Sequence, residues 1–325
     1  MLFGMTSAKQ LLIFRPDVSQ YQRADFRDLE RSALESQTQF KYIDQIEKLK
    51  DYPECDLVII STSQTDVATL SKDLAHRNIK LWIHPNSGYD NLPQSFVEES
   101  DFPIVVGNNI RANGVYLYSV QCLLDAMGPI PFHESWEPTR QFERRSFRQE
   151  NVLVIGHGHI GQKFTHFLET SELAYQVLDP FKYDNGIDYS VVTSVVVLAS
   201  LNRTSKHLLN REFFNKLNKD VTIINPARGK IIDELALIEY LKDSPKSKVY
   251  LDVFEKEPCE FEKFLFHPHI KLSSHIAGVY EDIDQVIIEH ECNVIKDYIH
   301  GDDVSFQNKY KSLILRNKII NGILI

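Results

Sequence analysis

Cysteine is scarce in this chain, and the four present, Cys55, Cys122, Cys259 and Cys292, lie far apart with no Cys-x-x-Cys pair. That spacing excludes a disulfide framework and a zinc knuckle, and it fits a reducing cytoplasm. An excess of positive charge is missing as well: 36 basic residues face 45 acidic ones, for a formal net charge of −9. Phosphate-backbone binding needs the opposite balance, so nucleic acid is not expected as a partner. No apolar run approaches the ~20 residues that cross a bilayer, and the run at 11–14 is too short for a signal segment. Neither membrane insertion nor secretion is therefore expected. Internal repeats and low-complexity tracts are also lacking. What the chain does hold is apolar side chain, 43% of 325 residues, enough for two buried cores of ordinary domain size.

Short apolar runs at 11–14, 57–61, 81–84 and 104–106 alternate with polar, helix-compatible stretches such as 44–50 and 66–76. A second series follows at 177–179, 195–199, 221–225, 248–252 and 270–273. This alternation predicts an α/β protein with doubly wound parallel sheets. Segments 113–126 and 281–300 have helical periodicity and flank the second series, so the chain is expected to leave the first domain and return to it. The expected division is 1–108, 109–296 and 297–325. Between the two series, 127–150 carries Pro129, Pro131, Pro138 and Trp136 and reads as a surface excursion. The apolar end, 319–325, reads as an element packed back onto the body or as an oligomer contact.

One segment says more than the rest. Val152-Leu153-Val154-Ile155 feeds into Gly156-His157-Gly158-His159-Ile160-Gly161, with an amphipathic stretch behind it. Strand, tight turn and helix N-terminus in that order make a dinucleotide turn. Gly156 is expected to take a positive φ, Gly158 to leave bare backbone for a pyrophosphate, and Gly161 to let helix and strand touch. Asp179 follows Gly161 by 18 residues and closes the next apolar run, where an acid reaches the ribose hydroxyls. A carboxylate there favours NAD over the 2′-phosphorylated NADP.

Downstream, three successive apolar runs end in chemistry-bearing residues: Asn225-Pro226-Ala227-Arg228-Gly229, then Asp252-Val253-Phe254-Glu255-Lys256-Glu257-Pro258, then Ser273-Ser274-His275-Ile276-Ala277-Gly278. In an open α/β sheet the carboxyl ends of the strands border the nucleotide crevice. Taken singly, Arg228 could cap its loop, Glu257 could pair at the surface and His275 could be a core histidine. Three such groups on consecutive strand ends beside a dinucleotide turn are better explained as a site. A metal is not expected, because His157 and His159 fall in the phosphate turn and His267 and His269 in a proline-containing loop.

With these motifs in this order, the chain resembles the NAD-dependent D-isomer-specific 2-hydroxyacid dehydrogenase family. Glu257 follows Arg228 by 29 residues and His275 follows Glu257 by 18, spacings similar to the family's. The resemblance implies a Rossmann-type NAD-binding domain at 109–296 and a flavodoxin-like substrate domain built from both chain ends. It further implies a hydride transfer at C2 of a small 2-oxo or 2-hydroxy acid. Arg228 would bind the substrate carboxylate, His275 would exchange the proton on the C2 oxygen, and Glu257 would pair with His275. Ser87 and Gly88, in Ser87-Gly88-Tyr89-Asp90-Asn91, would hold the carboxylate through backbone N–H groups. Gly156, Gly158, His159, Ile160, Gly161, Asp179, Ala199 and Gly278 would line the cofactor, and Asp252 would accept from the nicotinamide carboxamide. A homodimer is the assembly the resemblance implies. Three positions depart from the family: Ser274 stands where proline usually precedes the histidine, Ser200 replaces a proline near the nicotinamide, and Ser119 replaces an acid. These departures leave a second reading open, an NAD(H)-sensing interaction module with little turnover.

Overall fold

Runs of apolar residues become strands buried on both faces, as parallel sheets covered by helices require. The computed structural model describes residues 11–20, 22–128, 136–139, 144–179 and 186–325. They divide into two units, Met1–Arg111 with Val279–Ile325, and Ala112–Gly278. Within 127–150, residues 129–135 and 140–143 lie outside the described residues, as does Pro180.

The first unit is a five-stranded parallel sheet of β1 (Leu11–Phe14), β2 (Lys41–Ile43), β3 (Asp56–Ile60), β4 (Asn78–His84) and β5 (Ile104–Val106), in the order β2-β1-β3-β4-β5. That is the flavodoxin-like order. Alternate residues serve opposite faces. Ile13, Val58, Ile60, Leu81 and Ile83 meet Phe26 and Leu34 of α1 (Phe26–Thr38). Leu12, Phe14, Leu57, Ile59 and Trp82 meet Val67 and Leu70 of α2 (Val67–Asp73) and Val97 of α3 (Gln94–Glu99).

The helix α4 (Asn108–Met127) runs from one unit into the other, with Ile110 in the first core and Leu123 and Ala126 in a core of the second. The second unit holds β6 (Asn151–Ile155), α5 (His159–Thr170), β7 (Ala174–Leu178), β8 (Ser194–Val197), α6 (Arg211–Lys216), β9 (Thr222–Asn225), α7 (Glu234–Lys242), β10 (Val249–Leu251) and β11 (Ile270–Leu272). All six strands are parallel, in the order β11-β10-β9-β8-β6-β7. The strand order reverses between β6 and β8, the switch point at whose carboxyl side such sheets bind ligands.

One expectation is corrected. The return to the first unit was expected after residue 296, but it occurs at Val279. The reason is the helix α8 (Ile283–His300), whose Ile283, Ile287, Ile288, Cys292 and Ile295 are part of the first unit's core beside α1. The first division likewise falls after Arg111, inside α4, rather than after 108. Beyond α8, α9 (Asp303–Lys309) adds Phe306 to the same core. The apolar end then folds as a hairpin, β12 (Ile319–Ile320) with β13 (Ile323–Leu324), packed onto the unit through Ile319 and Leu324. All four cysteines are free. Among the described residues no helix is long and apolar enough to cross a membrane.

Candidate active site

At the end of β6 the three glycines stand in three different situations. Gly156 has φ +92°, and a Cβ on it would sit 2.6 Å from the Ala199 Cα, so β6 and the end of β8 can approach only over a glycine. A Cβ on Gly161 would lie 2.2 Å from the Gly156 carbonyl oxygen, which brings the first turn of α5 against the loop. A Cβ on Gly158 would meet nothing within 4 Å. Gly158 is also the N-cap of α5, and no side chain caps that helix end. Bare backbone and an uncapped helix N-terminus, starting at His159 and Ile160, suit an anion such as a pyrophosphate. Asp179 follows β7 directly, is 7% exposed, and accepts the His157 N–H at 2.7 Å. The acid expected at the ribose is thus tied to the turn, and the residues present fit a dinucleotide.

On the other side of the switch point, Asn225 ends β9 and folds the next loop with its own amide. Its Oδ1 accepts from the Ala227 N–H and its Nδ2 donates to the Arg228 carbonyl, each at 3.1 Å. Gly229 then lies so close to Phe254 that a Cβ would be 1.8 Å from the Phe254 carbonyl carbon. The loop carrying Arg228 therefore rests directly on the loop carrying Glu257. Arg228 itself is extended and half-buried, and its Nη1 donates to the Ala227 carbonyl at 2.7 Å.

Glu257 uses both carboxylate oxygens. Oε1 accepts the Phe254 N–H at 3.0 Å, and Oε2 lies 2.7 Å from Nδ1 of His275. Half-burial opposes ionisation of this carboxyl, but the His275 ring, the Phe254 N–H and the Arg228 guanidinium outweigh it and hold its pKa below the ordinary glutamate value. Both partners keep about a third of their side-chain surface, 35% for His275 and 32% for Glu257. The pair is thus accessible to a small molecule.

His275 reaches Glu257 from a backbone in the left-handed region, φ +59°. A non-glycine residue stays there only when its surroundings determine it. Here Asp252 does so. Its carbonyl accepts the His275 N–H at 2.7 Å, its Oδ1 accepts from Ser273 Oγ at 2.6 Å and Ile276 N at 2.8 Å, and its Oδ2 accepts from Ala277 N at 2.8 Å. The carboxylate is fully buried. Since the Ser273 hydroxyl donates to Asp252, the Tyr118 hydroxyl 2.8 Å away donates to Ser273. Sequence reasoning missed this clamp: Asp252 was expected at the carboxamide, and nothing pointed to Tyr118 or Ser273. The only signal was the acid's position at the end of a buried strand.

The remaining expected residues sit as follows. Gly278 and Ala277 pack against Gly114 of α4, where a Cβ would be 3.1 Å from the Ala277 carbonyl oxygen. Ser119 is buried and bonds back to the Val115 carbonyl, whereas Ser200 and Ser274 are exposed. His157 meets Thr165 at 3.0 Å, and buried His267 meets the Ser244 carbonyl at 3.2 Å. Among the described residues, no three His, Cys, Asp or Glu side chains gather as a metal site would require. Ser87 and Gly88 lie in the first unit, in the loop that follows β4, where the Asn91 amide donates to the Thr62 and Thr65 carbonyls at 3.0 and 3.1 Å.

Comparison with known proteins agrees with this geometry. Residues 132–277 match the family model described as D-isomer specific 2-hydroxyacid dehydrogenase, NAD binding domain. The chain is similar to D-3-phosphoglycerate dehydrogenase of Archaeoglobus fulgidus, 23% identical over 275 residues, covering 77% of this chain and 51% of that protein. It is also similar to D-3-phosphoglycerate dehydrogenase of Bacillus subtilis, 33% identical over 230 residues, covering 64% and 43%. The chain thus spans about half the length of these two relatives. Its fold is that of D-lactate dehydrogenase from Aquifex aeolicus complexed with NAD and lactic acid, with a TM-score of 0.70 at 16% identity over 92% of this chain and 98% of that one.

Proposed function

We propose, from the premise that this chain belongs to the D-isomer specific 2-hydroxyacid dehydrogenase family, that it transfers a hydride between NAD(H) and C2 of a small 2-oxo or 2-hydroxy acid. The observation that carries this reading is the 2.7 Å contact of His275 Nδ1 with Glu257 Oε2, on a loop that rests against the one carrying Arg228. Bound at the glycine turn, the nicotinamide cofactor supplies or takes up the hydride. The turn from Gly156 to Gly161 holds the pyrophosphate, Asp179 faces the ribose and favours NAD, and Ala199, Asp252 and Gly278 lie on the nicotinamide side. Arg228 is the residue of the second unit that binds the substrate carboxylate; in the first unit, the N–H groups of Ser87 and Gly88 are suited to a carboxylate.

Reduction of a carbonyl builds negative charge on oxygen, which one positioned acid must meet with a proton. With Nδ1 committed to Glu257, Nε2 of His275 is the atom that gives or takes that proton. The Glu257 carboxylate holds the ring by Nδ1 and so aims Nε2, and Arg228 polarises the carbonyl. A homodimer in a reducing cytoplasm completes the proposal.

NADH consumption with glyoxylate, hydroxypyruvate, pyruvate and a phosphorylated 2-oxo acid tests it. Turnover with one of them is expected, and His275→Ala should lower it on the order of 10²- to 10⁴-fold while NADH still binds. Tight NADH binding without turnover of any acid in the panel would instead favour the sensing module.

A further inference from the structure

The loop that carries Ser87 and Gly88 is fixed by a hydrogen-bonded chain reaching back into the first unit's core. His84, the last residue of β4, is fully buried. Its Nδ1 lies 2.9 Å from Ser61 Oγ, and its Nε2 lies 2.9 Å from the Gly88 carbonyl oxygen. Ser61 Oγ in turn accepts the indole N–H of Trp82 at 2.8 Å.

The direction of this chain follows from its ends. An indole nitrogen only donates and a carbonyl oxygen only accepts. The Gly88 carbonyl takes the proton on Nε2, and the Ser61 hydroxyl, which accepts from Trp82, gives its own proton to Nδ1 of His84. Nδ1 is therefore the bare nitrogen, and the ring's proton sits on Nε2, where it is donated to Gly88. The reverse tautomer would set a bare nitrogen against the Gly88 carbonyl, in a place water does not reach. Burial also pushes the ring's pKa down to about 4, so it stays neutral through the ordinary pH range.

We propose that His84 is a positioning residue for the substrate carboxylate: as the Nε2–H tautomer it pins the Gly88 carbonyl and so aims the Ser87 and Gly88 N–H groups. A glycine is the residue of that loop with the most conformational freedom to lose. The flanks are already held, by Asn91 on Thr62 and Thr65 and by the Tyr89 hydroxyl on the Ile325 carbonyl. The His84 bond fixes the middle. Preorganised N–H groups bind an anion without first ordering themselves, and that advantage appears in substrate affinity.

This inference rests on the reading that the loop receives the acid, so its test has one arm that needs turnover and one that does not. His84→Leu removes both ring contacts, whereas the amide nitrogen of His84→Gln reaches about as far as Nε2 and restores the donor. For the acid that the wild type reduces, His84→Leu should raise KM roughly ten- to hundred-fold with the NADH Kd unchanged, and His84→Gln should recover most of that loss. Independently of activity, amide hydrogen exchange within 87–89 should speed up in His84→Leu and not in His84→Gln. Ser61→Ala, which frees the tautomer without emptying the site, should show the same change in smaller measure and serves if His84→Leu does not fold. Unchanged exchange in folded His84→Leu and Ser61→Ala, or His84→Gln as impaired as His84→Leu, would overturn the positioning role. Faster exchange in His84→Leu, alongside a wild type that turns over no acid, would leave the pinning intact and sink only the functional reading.

Discussion

Nδ1 of His275 and Oε2 of Glu257 lie 2.7 Å apart on loops that follow β11 and β10, two adjacent parallel strands. Because the strands are in register, the chain returns to the same rim after each crossover, and an 18-residue separation in sequence closes to a hydrogen bond. The Glu257 pKa is held low, chiefly by the His275 ring against the opposing effect of burial. A depressed carboxyl pKa stabilises the fold above the unfolded value, and that contribution disappears as pH falls through the folded one. Glu257→Gln should therefore unfold at a lower temperature than the wild type at neutral pH, and the two melting curves should converge only as pH falls below the ordinary glutamate value of about 4.3. Its turnover should fall on the order of 10- to 10²-fold, since the imidazole loses its orienting partner. Melting curves that stay parallel at every pH would contradict the ion-pair account.

The Asp252 clamp is a second determinant of where His275 points. Tyr118→Phe removes the donor to Ser273 and leaves the rest of the chain of bonds in place. About 1 kcal/mol of stability should be lost. Asp252→Asn is harsher, because its amide presents a donor to one of the N–H groups of Ile276 and Ala277 that the carboxylate accepts. Turnover should drop in both variants, more in Asp252→Asn, with NADH titration by fluorescence reporting whether the cofactor site survives. A Tyr118→Phe enzyme with faster turnover than Asp252→Asn but slower than wild type fits a graded clamp, and equal rates in all three would rule it out.

The contrast between those two residues shows what the chain discloses before it folds. Parallel strands covered on both faces are continuous apolar runs, so β1, β3, β6 and β8 to β10 are legible one after another, and the glycine turn is legible because Gly156 and Gly161 each answer a steric demand. The short β2 is not, having only Tyr42 and Ile43 to mark it. Periodicity identifies α8 as a helix but cannot say which core receives its apolar stripe, hence the displaced return point at Val279. Arg228, Glu257 and His275 are readable at strand ends. Tyr118 sits in mid-helix, and only the fold shows that it stands beside Ser273.

Two glycine substitutions should separate cofactor binding from folding. In Gly158→Ala the new Cβ meets nothing within 4 Å, so stability should change by no more than about 1 kcal/mol, the N-cap preference. NADH affinity should nevertheless fall, because the methyl occupies the space where the phosphate backbone is expected. In Gly229→Ala the Cβ would overlap the Phe254 carbonyl, which forces the Arg228 loop off the Glu257 loop. That variant should lose turnover and melt lower. Thermal melts and NADH titrations on the pair check both outcomes, and a stable, fully active Gly229→Ala would refute the contact.

Asp179 carries the prediction on cofactor choice. Its carboxylate is buried at the end of β7 and takes the His157 N–H. Buried negative charge at that place opposes a 2′-phosphate. Asp179→Ser keeps an acceptor for His157 and removes the charge. The ratio of kcat/KM for NADPH over NADH should rise at least about ten-fold, equivalent to ~1.4 kcal/mol. A wild type that already prefers NADPH would overturn the assignment.

The buried charges of the first unit make the last prediction, and its sign is the informative part. Arg15, Glu30 and Glu291, from β1's end, α1 and α8, have no exposed surface; the guanidinium lies 3.2 Å from Glu30 and 3.3 Å from Glu291, and the Tyr42 hydroxyl donates to Glu30. One cation cannot compensate two carboxylates away from water. Burial, with the Glu30 charge beside it, raises the Glu291 pKa well above the glutamate value despite Arg15, so the folded unit keeps a proton there. The unfolded chain gives that proton up above about pH 4.3. Stability must then decline as pH rises, by about 1.4 kcal/mol per unit from this group, until the folded pKa is reached. Glu291→Gln keeps the shape and a donor toward Glu30 but has nothing to ionise, so the decline should vanish: urea midpoints should favour the wild type or tie in acid and favour the variant in mild alkali. Arg15→Met, which strands both carboxyls, should cost about 3–5 kcal/mol. If Glu291→Gln shows the same pH slope as the wild type, the proton is held elsewhere and the cluster is an ordinary ion pair.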